Sequence, residues 1–242
     1  MKNSTHSNSK RQARLARQAA RARRNALIRN IAIGVAALVV IVIAIVWIAT
    51  HQPASAAASQ PSTGGATPAL VGTKTYASAP PMTIDKTKQY FATVTMANGG
   101  QFVIQLYPDK APIAVNSFVF LANQGYFNGV TFHRVLSGFM AQGGDPAGTG
   151  GGGPGYTFAN EANDLTFDKA GVVAMANTGL PNSNGSQFFI TFAPQAYLNG
   201  GYTIFGQVTS GMDVVNAIKL RDPDKSPTYL GDAMQSVTIA VK

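Results

Sequence analysis

From Ile31 to Ala49 the chain runs Ile-Ala-Ile-Gly-Val-Ala-Ala-Leu-Val-Val-Ile-Val-Ile-Ala-Ile-Val-Trp-Ile-Ala, nineteen residues without a charge. As a helix this stretch spans about 28 Å, close to the hydrocarbon thickness of a bilayer. A core helix of a water-soluble domain keeps a polar face, and this one has none. The spacing therefore predicts a transmembrane helix over residues 31–49, with the Trp47 indole near one lipid–water boundary. Ahead of it, residues 1–30 carry Lys2, Lys10, Arg11, Arg14, Arg17, Arg21, Arg23, Arg24 and Arg29 and no acid. Positive charge stays on the cytoplasmic side. The expectation is a single-pass protein of the cell membrane, its N-terminus cytoplasmic and everything after residue 50 extracytoplasmic. A cleaved secretory signal is the rival reading, because Ala54-Ser55-Ala56 offers small residues at a cleavage spacing. The apolar run is long for a signal and the basic region before it extended, so a retained anchor is the reading adopted. Membrane lipid is then a partner through residues 31–49, and the basic tail can also meet anionic headgroups.

The formal net charge of +9 belongs to that tail, since the ten other basic residues balance the ten acidic ones. The remainder is neutral overall and no nucleic-acid partner is expected, because no aromatic or folded reader accompanies the tail. Without cysteine there is no disulfide, thiolate nucleophile or Cys-based zinc site. The three histidines, His6, His51 and His133, are too scattered for a metal cluster. Residues 50–81, rich in Ala, Ser, Thr, Gly and Pro with no aromatic before Tyr76, read as a flexible tether that cannot build a core.

From Met82 to the end the pattern is that of a folded domain, 82–242. Ala92, Val94 and Met96 alternate with threonines, Asn98-Gly99-Gly100 turns the chain, and Phe102, Ile104 and Leu106 alternate again: a hairpin with one buried face. Pro112 opens a helix carrying Val115, Phe118, Val119 and Ala122, and Gly125 stops it. Further strands are expected near 130–136, 139–143, 171–175, 187–191 and 203–208, and a last one through Val237, Ile239 and Val241. Ser210 to Asp213 resembles a capping box opening a second helix through Ile218. Many short strands and two helices predict a mainly β protein, a closed barrel whose ends the helices plug.

Chemistry concentrates in three blocks. In Phe132-His133-Arg134-Val135-Leu136-Ser137-Gly138-Phe139-Met140-Ala141-Gln142-Gly143-Gly144-Asp145, Gly138 marks a bend between two short strands. Alternation beyond it puts Met140 and Gln142 on one face. If Arg134 lies on the neighbouring strand, the Gln142 amide can brace its five-donor head beside an apolar wall. The second block is Ala174 to Gly179 followed by Pro181-Asn182-Ser183-Asn184-Gly185-Ser186-Gln187-Phe188-Phe189-Ile190, and the third runs from Tyr197 to Gly206. A cation over an apolar pocket with no nucleophile suits holding and polarising a carbonyl, not cleavage. His133 pairs with no carboxylate or nucleophile in sequence and reads as structural, and Ser186 lacks a nucleophile's setting. Phe139, Met140 and Phe189 could be plain core, and Phe188 reads as core because alternation sends it opposite to Phe189. Gly148-x-Gly150-x-x-Gly153 fits a dinucleotide fingerprint, but Pro154-Gly155 follows where a helix is required. Glu161, Asp164 and Asp168 read as solvated surface carboxylates in preference to a hydrolytic pair or metal site.

Together the three blocks resemble the cyclophilin family of peptidyl-prolyl cis–trans isomerases over about residues 84–242, in the family's order and approximate spacing; a membrane-anchored bacterial form is expected. The resemblance implies an eight-stranded antiparallel closed β-barrel capped by two α-helices. By position, Arg134 corresponds to the catalytic arginine and Gln142 to the glutamine that orients it. Phe139, Met140, Phe189 and Leu198 correspond to the walls of the proline pocket. Ala176, Asn177 and Thr178 match the segment whose backbone pairs with substrate, Gln187 a substrate-contacting glutamine, and Gly148-Thr149 the loop bordering the adjacent pocket. Tyr197 stands where many members carry tryptophan, which implies weak cyclosporin binding. Tyr202 replaces a histidine common in eukaryotic members, so a phenolic hydroxyl would face the substrate there; the 145–155 loop is shorter and richer in Gly, and Leu180 looks inserted. No cofactor or metal is implied.

The expected partner is a proline-containing polypeptide, with exported, folding chains as clients by topology. The competing class is a module that holds proline segments with catalysis incidental. A hydrolase on the same barrel would need an activated nucleophile, and none is found.

Overall fold

Alternation decides the first hairpin. β1 (Tyr90–Met96) pairs antiparallel with β2 (Gln101–Leu106), and Ala92↔Ile104 and Val94↔Phe102 meet on the buried face. The Asn98 side chain accepts the Gly100 N–H at 3.0 Å while Gly99 takes φ +87, which closes the turn where the sequence places it. The computed structural model describes residues 74–242. The expected basic tail 1–30, transmembrane helix 31–49 and most of the tether, 50–73, lie outside the described residues. Among the described residues no helix is long and apolar enough to cross a membrane.

The other strands are β3 (Arg134–Leu136), β4 (Met140–Gly143), β5 (Val172–Met175), β6 (Phe188–Thr191), β7 (Ile204–Ser210) and β8 (Met234–Val241). They form one antiparallel sheet in the order β3-β4-β6-β5-β7-β2-β1-β8. Eight antiparallel strands are as expected, but the closed barrel is not. The edge strands β3 and β8 form no ladder; the sheet curls until coil beside them meets in a single bridge, Thr131↔Ala233. Phe132 N–H donates to Asp232 O (2.9 Å) and Met234 N–H to Val130 O (2.9 Å) across that seam. The three-residue β3 is too short to complete closure, and its free edge is covered by Arg221, which exchanges backbone bonds with Val135 at 2.7 and 2.9 Å.

Helix α1 (Pro112–Asn123) begins at its proline as predicted. Its N-cap, Ala111, has no side-chain acceptor, and the work falls to Glu161, whose carboxylate accepts the N–H groups of Ile113 and Ala114, both at 2.8 Å. Asp164 pairs with Lys110 at 2.7 Å. The second helix departs from expectation. α2 (Met212–Asn216) is capped by Gly211 at φ +77, not by Ser210, and stops short of Ile218. A β-carbon at 211 would collide with Gln101 O and Phe102, so only glycine fits and the capping box cannot form.

Residues 74–81, which the sequence assigns to the tether, lie on the domain. Tyr76 N–H donates to Pro154 O (2.8 Å), its ring packs edge-on against Phe120 at 4.9 Å, and Asn116 donates to Pro81 O (3.0 Å). One aromatic residue is enough to seat a segment otherwise too small and polar to pack.

The sheet carries apolar clusters on both faces. Inside, α1 presses Phe118 against Phe127, Phe188 and Phe205 at centroid distances of 4.9, 5.5 and 5.4 Å. Outside, Met140, Phe167, Val172, Ala174, Phe189, Leu198 and Ile204 form a second cluster. Phe188 is fully buried against three aromatic rings of the inner set, those of Phe118, Phe127 and Phe132. Phe188→Ala is expected to cost about 3–5 kcal/mol of unfolding free energy; a denaturant titration showing less than about 1 kcal/mol, the scale of a surface change, would remove Phe188 from the core.

Candidate active site

The site is built on the outer cluster by strand alternation. In β4, Ala141 turns inward while Met140 joins the outer cluster; in β6, Phe188 and Ile190 turn inward and Phe189 outward. β3 and β4 pair with Arg134 opposite Gln142, so the two side chains emerge side by side, as anticipated. The connecting bend uses Gly138 at φ +67, and its carbonyl accepts the Gln195 side-chain amide at 2.9 Å, which fixes where Phe139 points.

Phe139 is half-buried, and the Arg134 guanidinium carbon lies 5.9 Å from its ring centroid, within cation–π range. Tyr197 flanks Phe139 at 6.1 Å and is 72% exposed, so it forms a rim and not a floor. The floor consists of Met140, Phe189 and Leu198, all buried. Behind it, Phe167 stacks parallel on Phe189 at 5.8 Å, while the half-buried Tyr202 meets Phe189 edge-on at 5.3 Å. The result is a shallow apolar depression with one cation at its lip.

One detail of the expected geometry is corrected. The Gln142 amide makes no hydrogen bond with Arg134; its Nε2 donates to Gln187 Oε1 at 2.9 Å. Gln187 Nε2 in turn donates to the carbonyls of Gly150 and Gly152, each at 2.9 Å. Gln142 thus links the β3–β4 pair to the glycine-rich loop. Its own Oε1, the atom able to accept from a guanidinium, has no hydrogen-bond partner among the described residues. Arg134 is held by strand register and the Phe139 face.

Beside the depression lies a cavity of about 690 Å³ lined by Gln142, the 150–157 loop, Ala176, Asn177, Thr178 and residues 180–183 and 185–187. Ala176 N–H donates to Gln187 O at 2.9 Å, which ends the sheet pairing there. No partner among the described residues takes the Asn177 backbone N–H or carbonyl, so both can pair with an extended peptide. The Asn177 side chain is anchored instead, donating to Gly201 O at 3.0 Å and accepting from Gly179 N–H at 3.0 Å. Thr178 is exposed at the rim. Gly148 and Thr149, expected to border this cavity, are not among its lining residues, which begin at Gly150 on that loop. Asp145 draws them in, Thr149 N–H reaching its carboxylate at 2.9 Å and Gly148 N–H its backbone carbonyl at 3.1 Å.

Asp145 is the residue whose role the sequence reading missed. Its buried carboxylate accepts the N–H groups of Ala147, Thr149 and Gly150 at 2.8, 2.9 and 2.6 Å. Burial works to raise its pKa, and the N–H donors of Ala147, Gly152 and Gly150 outweigh that and hold it below the ordinary carboxylate value. A β-carbon at Gly152 would collide with that carboxylate. The signal was an acid placed just before a run of glycines, able to organise a loop that has no side chains of its own.

His133 is 1% exposed, and neither ring nitrogen has a partner among the described residues. It serves the inside of the fold, as its isolation in sequence implies. Burial, more than Asp145 can offset, pushes its pKa below the usual 6.5, with Arg221 and Arg134 acting in the same direction.

The comparisons agree with this geometry. The family model "Cyclophilin type peptidyl-prolyl cis-trans isomerase/CLD" matches residues 91–239. The chain is 51% identical over 129 residues to a peptidyl-prolyl cis-trans isomerase-like 1 of Rhizopus delemar, covering 52% of this chain and 78% of that one. It is 49% identical over 120 residues to peptidyl-prolyl cis-trans isomerase B of Bacillus subtilis, covering 49% and 82%. A crystal structure of a Cryptosporidium parvum cyclophilin-type isomerase in the presence of the dipeptide Ala-Pro is 32% identical with a TM-score of 0.56, over 62% of this chain and 98% of that one.

The lowered pKa of His133 sets a pH window. The folded state disfavours imidazolium, so the unfolded chain takes the proton first; stability is whole above about pH 6.5 and declines as pH falls below it toward the folded value. Asp145 does not overlap, because its contribution is lost only as pH falls below the ordinary 3.8. Denaturant midpoints should fall between about pH 7 and 5, and His133→Gln should flatten that slope; an unchanged slope in the variant would contradict the assignment.

Proposed function

The chain belongs to the cyclophilin-type peptidyl-prolyl cis–trans isomerases, and from that premise we propose that Arg134 does the work of catalysis by binding the twisted X–Pro bond more tightly than either planar isomer. The chain is an isomerase, and the family's substrates are proline-containing peptides. The barrier to rotation is about 18–20 kcal/mol and comes from amide resonance. Twisting breaks the resonance, and the proline nitrogen becomes pyramidal and basic while charge leaves the carbonyl. The ring enters the depression over Met140, Phe189 and Leu198, which fixes the proline side of the bond. The Arg134 donors then meet the proline nitrogen and carbonyl, while Gln142 Oε1 is available to turn the guanidinium toward them. Asn177 pairs with the peptide backbone on the preceding side. No proton moves and no covalent bond forms; the rate gain is differential binding alone.

The observation that carries this reading is the guanidinium poised over Phe139 at the lip of an outer-face apolar cluster. The rim of that cluster, Phe139 and the 72% exposed Tyr197, presents aromatic surface to solvent beside the cation. We extend the proposal to setting: the nineteen-residue apolar run 31–49, with its basic flank, anchors the chain in the cell membrane and presents the isomerase to exported, folding chains. Tyr197 in the place of tryptophan weakens cyclosporin binding.

Arg134→Ala should lower kcat/KM for an X–Pro peptide by about 10²-fold, or about 2.7 kcal/mol of transition-state stabilisation. Circular dichroism should be unchanged. Undiminished isomerisation by a folded Arg134→Ala protein would refute the role.

A further inference from the structure

The cavity beside the depression has a wall that does not come from the family-matched region. Thr75 lines it, and Thr75 and Tyr76 precede the matched residues 91–239. We infer that the 74–76 strap, seated by Tyr76, is a positioning element for the cavity that receives substrate residues on the N-terminal side of the X–Pro bond, an inference that rests on the isomerase reading above.

Tyr76 touches both walls. On one side its N–H donates to Pro154 O at 2.8 Å, at the far end of the run Gly150-Gly151-Gly152-Gly153. The fit there is close: a β-carbon on Gly155, at φ +90, would lie 2.6 Å from Tyr76 O. On the other side the Tyr76 ring meets Phe120 at 4.9 Å, Tyr126 at 6.4 Å and Tyr156 at 6.5 Å. Tyr126 is hydrogen-bonded to Ser186 at 3.0 Å, and Ser186 lines the opposite wall.

Four successive glycines have more backbone freedom than any other run, so the loop needs ties from outside itself. It has three. Asp145 holds its beginning, Gln187 its middle through the Gly150 and Gly152 carbonyls, and Tyr76 its end. The middle tie continues through Gln142, the residue opposite Arg134. A loose strap would leave the loop to be ordered on binding, at the expense of affinity for peptides long enough to reach it. The Tyr76 hydroxyl is buried without a partner among the described residues, so the ring and the backbone, not the oxygen, tie the strap to them.

The test uses the full chain in detergent micelles with two substrates: a peptide with several residues before the X–Pro bond, and a blocked X–Pro dipeptide with none. Tyr76→Ala should raise KM for the longer peptide about fivefold with kcat little changed, the scale of one ordering step on binding, and leave the dipeptide as in the native chain. Tyr76→Leu, which keeps apolar bulk, should do the same more mildly if the alanine variant is poorly folded. Gly155→Ala should match Tyr76→Ala by displacing the strap, and Tyr76→Phe should behave as native on both substrates. Equal losses on both substrates, or none on the longer one, overturn the inference. Calorimetric affinity for the longer peptide reads the strap independently of turnover, so an inactive native chain would refute the isomerase reading without deciding this one, whereas unaltered affinity in Tyr76→Ala would refute the strap.

Discussion

The structure depends on one sheet being made to serve two apolar faces. Along β4 and β6 the side chains alternate, Ala141, Phe188 and Ile190 into the curl of the sheet and Met140 and Phe189 away from it. The inner set is covered by α1 and supplies the burial that holds the fold. The outer set is closed over by the turn at Ala196–Leu198 and the Phe167 segment, with the half-buried Phe139 and the exposed Tyr197 at its rim. A one-residue slip of register would exchange the two sets, so fold and site are specified by the same pairing.

Electrostatics on this platform are spare. Arg134 stands across from an amide and beside an aromatic face, and no carboxylate among the described residues lies in ion-pair range of it. A neutralising partner would weaken its pull on a developing charge, so an unpaired guanidinium at an apolar lip suits electrostatic stabilisation without proton transfer. Negative charge is put to use elsewhere: Asp145 organises the glycine loop, and Glu161 caps α1.

Much of this could be read from residues alone, because it is local. The β1–β2 hairpin follows from alternation and an Asn-Gly-Gly turn, α1 from its proline and spacing, and the opposition of Arg134 and Gln142 from a bend at Gly138. What failed was non-local. Ser210 looks like a cap until Gln101 and Phe102 are brought against residue 211, where only glycine fits. Gln142 reads from sequence as a partner of Arg134 alone; its link through Gln187 to the glycine-rich loop exists only once β6 lies alongside. The missing ladder between β3 and β8 could not be foreseen from strand count, since closure depends on the length of the last edge strand. Tyr76 read as part of a linker because composition averages over a segment, whereas seating depends on the one ring in it.

The most direct measurement is of intermolecular nuclear Overhauser contacts between an X–Pro peptide and the protein, with the peptide's cis and trans forms observed in exchange. The account predicts contacts from the proline ring to the Met140 methyl, Leu198 and Phe189, together with accelerated exchange between the two forms. Proline contacts confined to other surfaces while exchange is accelerated, or no acceleration at all, would contradict it.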